Sequence, residues 1–170
     1  MLKSKHLIGL EHFPTSDLNK IIDTSFKFKE ILESPERKAI LLKGKTIVNM
    51  FFENSTRTKI SFTLAEKRLG ADSINFSSST SSVKKGETLK DTIQNIDAMK
   101  IDGAVIRHGH PGSALKLTEY IDGAVINAGD GSHEHPTQAI LDMVTLKEKF
   151  GKIKNLKVGI IGDILNSRVA

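Results

Sequence analysis

The chain has 170 residues, of which 38% are apolar and 26% charged. This ordinary balance excludes disordered, collagenous and low-complexity classes and suffices for one domain with its own core. Cysteine is absent, which excludes a disulfide scaffold, a thiolate zinc site and a cysteine nucleophile. A formal net charge of +5 favours anionic partners, but the basic residues are scattered and only 5% of residues are aromatic, so a stacking platform for nucleic acid is not expected.

Pro14-Thr15-Ser16-Asp17 reads as a helix start, and Leu18, Ile21, Ile22, Phe28, Ile31 and Leu32 continue it with a 3.6-residue period until Ser34-Pro35. After Gly44, residues 46–52 read as a buried strand, and residues 53–58 as a polar turn. Ile60, Leu64 and Leu69 then mark a helix, with Gly70 as its C-terminal cap. Residues 73–76 form a short strand and residues 77–86 a Ser-rich loop. Leu89, Ile93, Ile96 and Met99 give a helical stripe. Residues 103–106 are a strand, with Arg107 opening its loop, and residues 113–120 a short helix. Residues 124–127 are a strand and residues 129–132 a turn. Pro136 begins a helix whose buried face is Ile140, Leu141, Val144 and Leu146. Residues 157–161 read as one more strand, ending in Gly162-Asp163.

Short apolar strands alternating with helices predict an α/β fold, a parallel sheet flanked by helices on both faces. In such sheets ligands bind beyond the carboxyl ends of the strands. The segments of interest are therefore 53–58, 77–86, 107–112, 127–135 and 162–168. No stretch approaches the roughly 18 apolar residues of a spanning helix, and Gly9, Glu11 and His12 break the N-terminal apolar run. No signal peptide and no membrane partner are read, and a cytoplasmic protein is expected.

Ser55, Thr56, Arg57 and Thr58 lie between a strand and a helix. Unpaired helix N–H groups, three hydroxyls and a guanidinium suit a phosphate; an ordinary N-cap with a surface Arg is the competing reading. Arg107 at a strand end faces the crevice, or forms a structural ion pair with Glu53. His135 just before a helix and Gln138 one turn inside it can hydrogen-bond one small polar ligand. The pairs His108/His110 and His133/His135 lack a third or fourth ligand, so no metal is assigned. Residues 158–163 resemble half a dinucleotide fingerprint, but a buried strand and turn is the simpler reading.

Taken in order, Phe51-Phe52-Glu53-Asn54-Ser55-Thr56-Arg57-Thr58, Lys84-Lys85-Gly86-Glu87-Thr88, Ile106-Arg107-His108, Gly129-Asp130-Gly131 and His135-Pro136-Thr137-Gln138 resemble the aspartate/ornithine carbamoyltransferase family. Thr137, where ornithine-specific members typically carry Cys, and the Lys-Lys-Gly-Glu-Thr loop favour the aspartate branch. The alternatives are another amine acceptor such as ornithine, or a non-catalytic phosphate-binding module.

The resemblance implies transfer of a carbamoyl group from carbamoyl phosphate to the amine of L-aspartate in de novo pyrimidine biosynthesis, without cofactor or metal. It implies that Ser55, Thr56, Arg57, Thr58, Arg107, His135, Gln138, Ser81 and Lys85 bind carbamoyl phosphate. Thr58, Arg107 and His135 act on the reacting group, and Lys85 and Arg168 bind aspartate. It also implies a homotrimer with active sites shared between subunits through the loop of Ser81 and Lys85, and regulatory or pathway-enzyme partners. Residues 1–149 correspond to the carbamoyl-phosphate domain with its linking helix (about 136–149). Residues 150–170 correspond to the start of an aspartate-binding α/β domain whose remainder is absent, so the 170-residue chain alone is expected to be inactive.

Overall fold

A computed structural model describes residues 1–77 and 88–169. Among them, helices and strands alternate: α1 (Thr15–Glu33), β1 (Thr46–Phe51), α2 (Thr56–Leu69), β2 (Asp72–Ser77), α3 (Leu89–Asp97), β3 (Gly103–His108), α4 (Ser113–Leu117), β4 (Ala124–Asp130) and α5 (Pro136–Phe150). The four strands form one sheet in the order β2-β1-β3-β4, and every pairing is parallel. The α/β expectation holds.

Strand side chains alternate between the two faces, and each face has its own core. Val48, Met50, Ala104, Ile106 and Val125 pack with Ile93 of α3 and with Ala114 and Leu117 of α4. On the opposite face, Phe51, Val105 and Ala128 pack with Ile47, Ile126 and Phe62 of α2. Helix α5 lies against β4 and α1, and an ion pair from Lys147 to Asp23 at 2.7 Å joins the two helices. The N-terminal segment lies along the free edge of β4. There the Leu7 amide donates to the Val125 carbonyl at 2.9 Å, and the Asn127 amide donates to the Leu7 carbonyl at 2.8 Å. Nothing in the local pattern of 1–13 announces this edge, because the pairing partner is more than a hundred residues away.

Several expected elements differ in extent or orientation. Arg107 lies within β3, paired with Phe51, rather than opening a loop. Gly129 and Asp130 extend β4 rather than forming a turn. Helix α3 stops at Asp97, so Met99 falls in the following turn and is exposed. Ile60 and Leu64 lie on the exposed side of α2, and the side facing the sheet carries Phe62 and Glu66 instead. Leu141 is exposed, while Ile140 is buried. Residues 157–161 form no strand, and Val158, Ile160 and Ile161 are exposed. A strand is stable only beside a partner whose N–H and C=O groups complete its ladder, and among the described residues none flanks this segment.

Glu66 is buried between α2 and the sheet. Its Oε2 accepts from Asn49 Nδ2 at 2.8 Å and from Ser73 Oγ. Glu66 Oε1 and Asn49 Oδ1 meet no donor among the described residues. Burial raises the Glu66 carboxyl above its ordinary range, against the opposing hydrogen bonds from Ser73 and Asn49. An acid whose folded pKa is raised binds its proton more tightly in the folded chain. Its stabilising contribution is therefore full below the unfolded value and is lost as pH rises through the folded one. Glu66→Gln keeps the shape and removes the ionisation. Urea unfolding is expected to show the variant gaining on the parent as pH rises from 4 to 8; a difference independent of pH would contradict the assignment.

Candidate functional site at the carboxyl ends of the strands

Parallel strands bring the N-termini of α2 and α5 to the same edge of the sheet. Between β1 and α2, Ser55 occupies the N-cap, but its hydroxyl donates to Thr58 Oγ1 at 2.8 Å and makes no capping bond to the backbone. No acidic side chain occupies the first turn. Ser55 thus stands at the N-cap position without a side-chain capping bond. The first turn presents amides uncapped by any side chain, the positive end of the helix dipole and the exposed guanidinium of Arg57 together.

Across from it, α5 starts with Pro136 at its first position and His135 as N-cap, again without a side-chain capping bond. The His135 amide donates to the Arg168 carbonyl at 3.0 Å, and its Nδ1 lies 3.3 Å from Thr137 Oγ1. Gln138 Nε2 donates to Asp142 Oδ1 at 3.0 Å. Arg57, Thr58, His135, Thr137, Gln138 and Leu141 line one open cleft of about 610 Å³. Exposure of Leu141 follows from this, since it forms part of the cleft wall. A second groove of about 410 Å³ runs between α1 and α2; Phe28, Ile31, Leu64 and Leu69 give it a mainly apolar lining, with Arg37, Ser61 and Arg68 among its polar members.

Beside the cleft, Glu53 Oε2 lies 3.2 Å from Arg107 Nε and 3.3 Å from Arg168 Nη1. Arg168 donates hydrogen bonds to it. Arg107 Nε is close enough to pair electrostatically but is not aligned to donate, and its Nη1 donates instead to the Ala128 carbonyl at 3.1 Å. One carboxylate thus serves two guanidiniums and leaves a cationic excess. Burial lowers the Arg107 pKa, the neighbouring Arg168 lowers it further, and Glu53 opposes both.

The two arginines meet His135 over Gly129. A Cβ at this position would lie 2.7 Å from Arg168 Nη1, 3.2 Å from Arg107 Nη1 and 3.6 Å from His135 Cδ2. Here the β3–β4 register shifts. Ile106 faces Asn127 and His108 faces Asp130, so β4 carries one residue more than β3. Such a bulge bends a strand and re-aims its neighbours. Burial lowers the His135 pKa to about 4, reinforced by Arg107 and Arg168 and opposed by Asp142. The imidazole is therefore neutral at neutral pH, an uncharged hydrogen-bonding group within a cationic pocket.

The expected residues thus assemble in part. Arg57, Thr58, His135 and Gln138 share the cleft, Ser55 holds Thr58, Thr56 opens α2, and Arg107 and Arg168 converge beside His135. Ser81 and Lys85 lie outside the described residues. Of the His-x-His pairs, the rings of His108 and His110 pack together at 5.1 Å, whereas His133 turns to Asp130 at 3.4 Å and His135 lines the cleft. Among the described residues no cluster of three potential metal ligands exists. Sequence reasoning does not reach the roles of Gly129, Asn127 and Asp130. The Gly-Asp-Gly run is visible but reads as a turn.

A family profile described as "Aspartate/ornithine carbamoyltransferase, carbamoyl-P binding domain" matches residues 5–148. The chain belongs to the aspartate/ornithine carbamoyltransferase family. It is 53% identical over 169 residues to an aspartate carbamoyltransferase catalytic subunit of Christiangramia forsetii, covering 99% of this chain and 54% of that protein. It is 55% identical over 166 residues to one of Desulfotalea psychrophila, covering 98% and 52%. Among solved structures, aspartate transcarbamoylase from Trypanosoma cruzi in complex with aspartate and phosphate superposes with a TM-score of 0.91 at 34% identity, covering 98% of this chain and 54% of that one. The catalytic subunit of the M. jannaschii enzyme superposes at 0.88 and 40% identity, with 98% and 54% coverage. The chain therefore spans about half the length of the relatives it matches.

At Gly129, φ is +118°, a region side-chain-bearing residues rarely adopt. In Gly129→Ala, the clash with Arg168 Nη1 can be relieved by rotation of that side chain, but the backbone strain cannot. The variant is expected to be destabilised by about 1–3 kcal/mol in urea unfolding. Parent-like stability would show that the backbone here is not constrained.

Proposed function

We propose that this family member is the carbamoyl-phosphate-binding part of an aspartate carbamoyltransferase, transferring the carbamoyl group of carbamoyl phosphate to the amine of L-aspartate. The products are N-carbamoyl-L-aspartate and phosphate, a step of de novo pyrimidine biosynthesis. The observation that carries the reading is the uncapped, Arg57-bearing N-terminus of α2 sharing one cleft with a neutral His135. The curated relatives bear the aspartate carbamoyltransferase name, and the Trypanosoma cruzi structures include complexes with carbamoyl phosphate and with aspartate.

On this reading the phosphate sits on the first-turn amides of α2, gripped by Ser55, Thr56, Arg57 and Thr58. Such charge-assisted contacts are the strong class of hydrogen bond, about 1.5–3 kcal/mol each. Arg107 reaches a phosphate oxygen and the carbonyl oxygen. The aspartate amine attacks the carbonyl carbon and an oxyanion forms. His135 and the Thr58 hydroxyl donate to that oxyanion, while Gln138 holds the carbamoyl NH2. The C–O bond to phosphate then breaks, and the departing phosphate takes the amine proton, so no protein base is required. The protein contributes position and electrostatics rather than a nucleophile.

Arg168 binds an aspartate carboxylate, and Glu53 keeps both arginines oriented until substrate arrives. Residues 1–149 form the carbamoyl-phosphate unit with α5 as its linking helix. Residues 150–170 begin an aspartate-binding unit, which agrees with the exposure of Val158, Ile160 and Ile161. In a homotrimer, Ser81 and Lys85 complete a neighbouring subunit's site. The protein acts in the cytoplasm; among the described residues no helix is long and apolar enough to cross a membrane.

Two variants of the complete polypeptide test the assignment by carbamoyl-aspartate formation. Arg57→Ala is expected to weaken carbamoyl-phosphate binding by roughly tenfold or more, the equivalent of one lost charge-assisted contact. His135→Ala is expected to lower turnover by roughly ten- to a thousandfold while affinity changes less. Normal turnover with greatly weakened affinity in His135→Ala would move His135 to the phosphate, and unchanged kinetics in Arg57→Ala would refute the phosphate site.

A further inference from the structure

Asp130, at the end of β4, is 2% exposed. Its Oδ2 accepts from the Gly112 amide at 2.8 Å and lies 3.4 Å from His133 Nδ1. Its Oδ1 accepts from the Glu134 amide at 3.1 Å and from Asn127 Nδ2 at 2.9 Å. Asn127, fully buried, in turn donates to the Ile8 carbonyl at 2.8 Å and accepts from the Gly129 amide at 2.8 Å. Of the four backbone points the pair grips, two bear on the site: Gly129, over which Arg107, Arg168 and His135 converge, and Glu134, the residue before His135. The Asp130 amide closes the same loop by donating to the Glu134 carbonyl at 3.1 Å.

We infer that Asp130 is a positioning residue for His135: through the Glu134 amide and Asn127, its buried carboxylate holds the 131–135 loop so that the imidazole stays in the arginine-lined pocket. The inference deepens the proposed function and rests on it only in assigning His135 to the carbonyl oxygen. Two acceptor oxygens are needed to serve donors from three directions. The amide of Asn offers one oxygen and one NH2, so Asp130→Asn sets a donor against either the Gly112 N–H or the pair Glu134 N–H and Asn127 NH2. A buried donor facing a donor leaves both unsatisfied, and the loop is expected to loosen.

The sign of the response separates position from charge. Removing a nearby negative charge by itself lowers a histidine pKa, the opposite sign to the release of His135 from burial. A rise is the response expected when His135 leaves its buried, arginine-flanked place. The experiment is a titration of the histidine-labelled chain by NMR, with the His135 signal identified among the six histidines by its loss in His135→Asn.

In the parent, His135 is expected to titrate near 4. In Asp130→Asn its midpoint is expected to climb by about one pH unit or more toward the ordinary value. Asp130→Glu keeps the charge but displaces the oxygens, and is expected to raise the midpoint too; it carries the test if Asp130→Asn does not fold. A midpoint that stays or falls in the folded variant overturns the inference, as does a parent-like midpoint in Asp130→Glu, which would show that the placement of the carboxylate oxygens is not what holds the loop. The titration needs no turnover, so failure of the complete polypeptide to form carbamoyl aspartate counts against the proposed function and leaves this comparison standing.

Discussion

Parallel pairing of β1, β2, β3 and β4 obliges every strand to deliver its carboxyl end, and each following helix its N-terminus, to one edge of the sheet. The site depends on that constraint. Phe51 and Arg107 pair in register, so the turn carrying Glu53 leaves β1 beside the guanidinium that needs a counter-charge. The extra residue in β4 then shifts Gly129 and Asp130 relative to β3. Arg107 Nη1 reaches across this irregularity to the Ala128 carbonyl. An antiparallel neighbour would have sent one of these ends to the opposite side.

The electrostatics follow from the same geometry. Two arginines share one oxygen of Glu53, and the uncapped end of α2 adds partial positive charge and Arg57. The pocket is therefore set for an anion, and partial burial makes each charge count for more than at a free surface. Burial keeps His135 neutral, and that field reinforces it, because protonation would place a further cation beside Arg107 and Arg168. In the proposed mechanism, that neutral imidazole donates a hydrogen bond to the developing oxyanion. The absence of a base in the scheme is consistent with the same field, since a dianionic phosphate is itself a proton acceptor.

The sequence made the alternation of elements legible because it rests on local signals: the period of α1, Gly70 in the left-handed conformation after α2, and Pro136 at the start of α5. The site segments were legible for a related reason, since strand ends in a parallel sheet announce themselves as the places where apolar runs stop. What escaped depends on partners distant in the chain. Arg107 belongs to β3 because Phe51 pairs with it. Leu7 joins the sheet because the edge of β4 is open. Residues 157–161 have strand composition but, among the described residues, no neighbour to complete a ladder. Asn127 and Asp130 form a buried polar clamp reaching to Ile8 and Gly112, which no run of adjacent residues encodes.

The central claim is that the two helix N-termini and the arginine pair make one anion site. Its most direct test is a titration of the isotope-labelled chain with carbamoyl phosphate, followed residue by residue by NMR. The account expects saturable shifts at the amides of Thr56, Arg57 and Thr58 together with the His135 and Gln138 side chains, with one common dissociation constant. Shifts confined to the surface around Lys90, Lys116 and Tyr120, where α3 and α4 form a smaller cleft, or no saturable shifts at all, would contradict it.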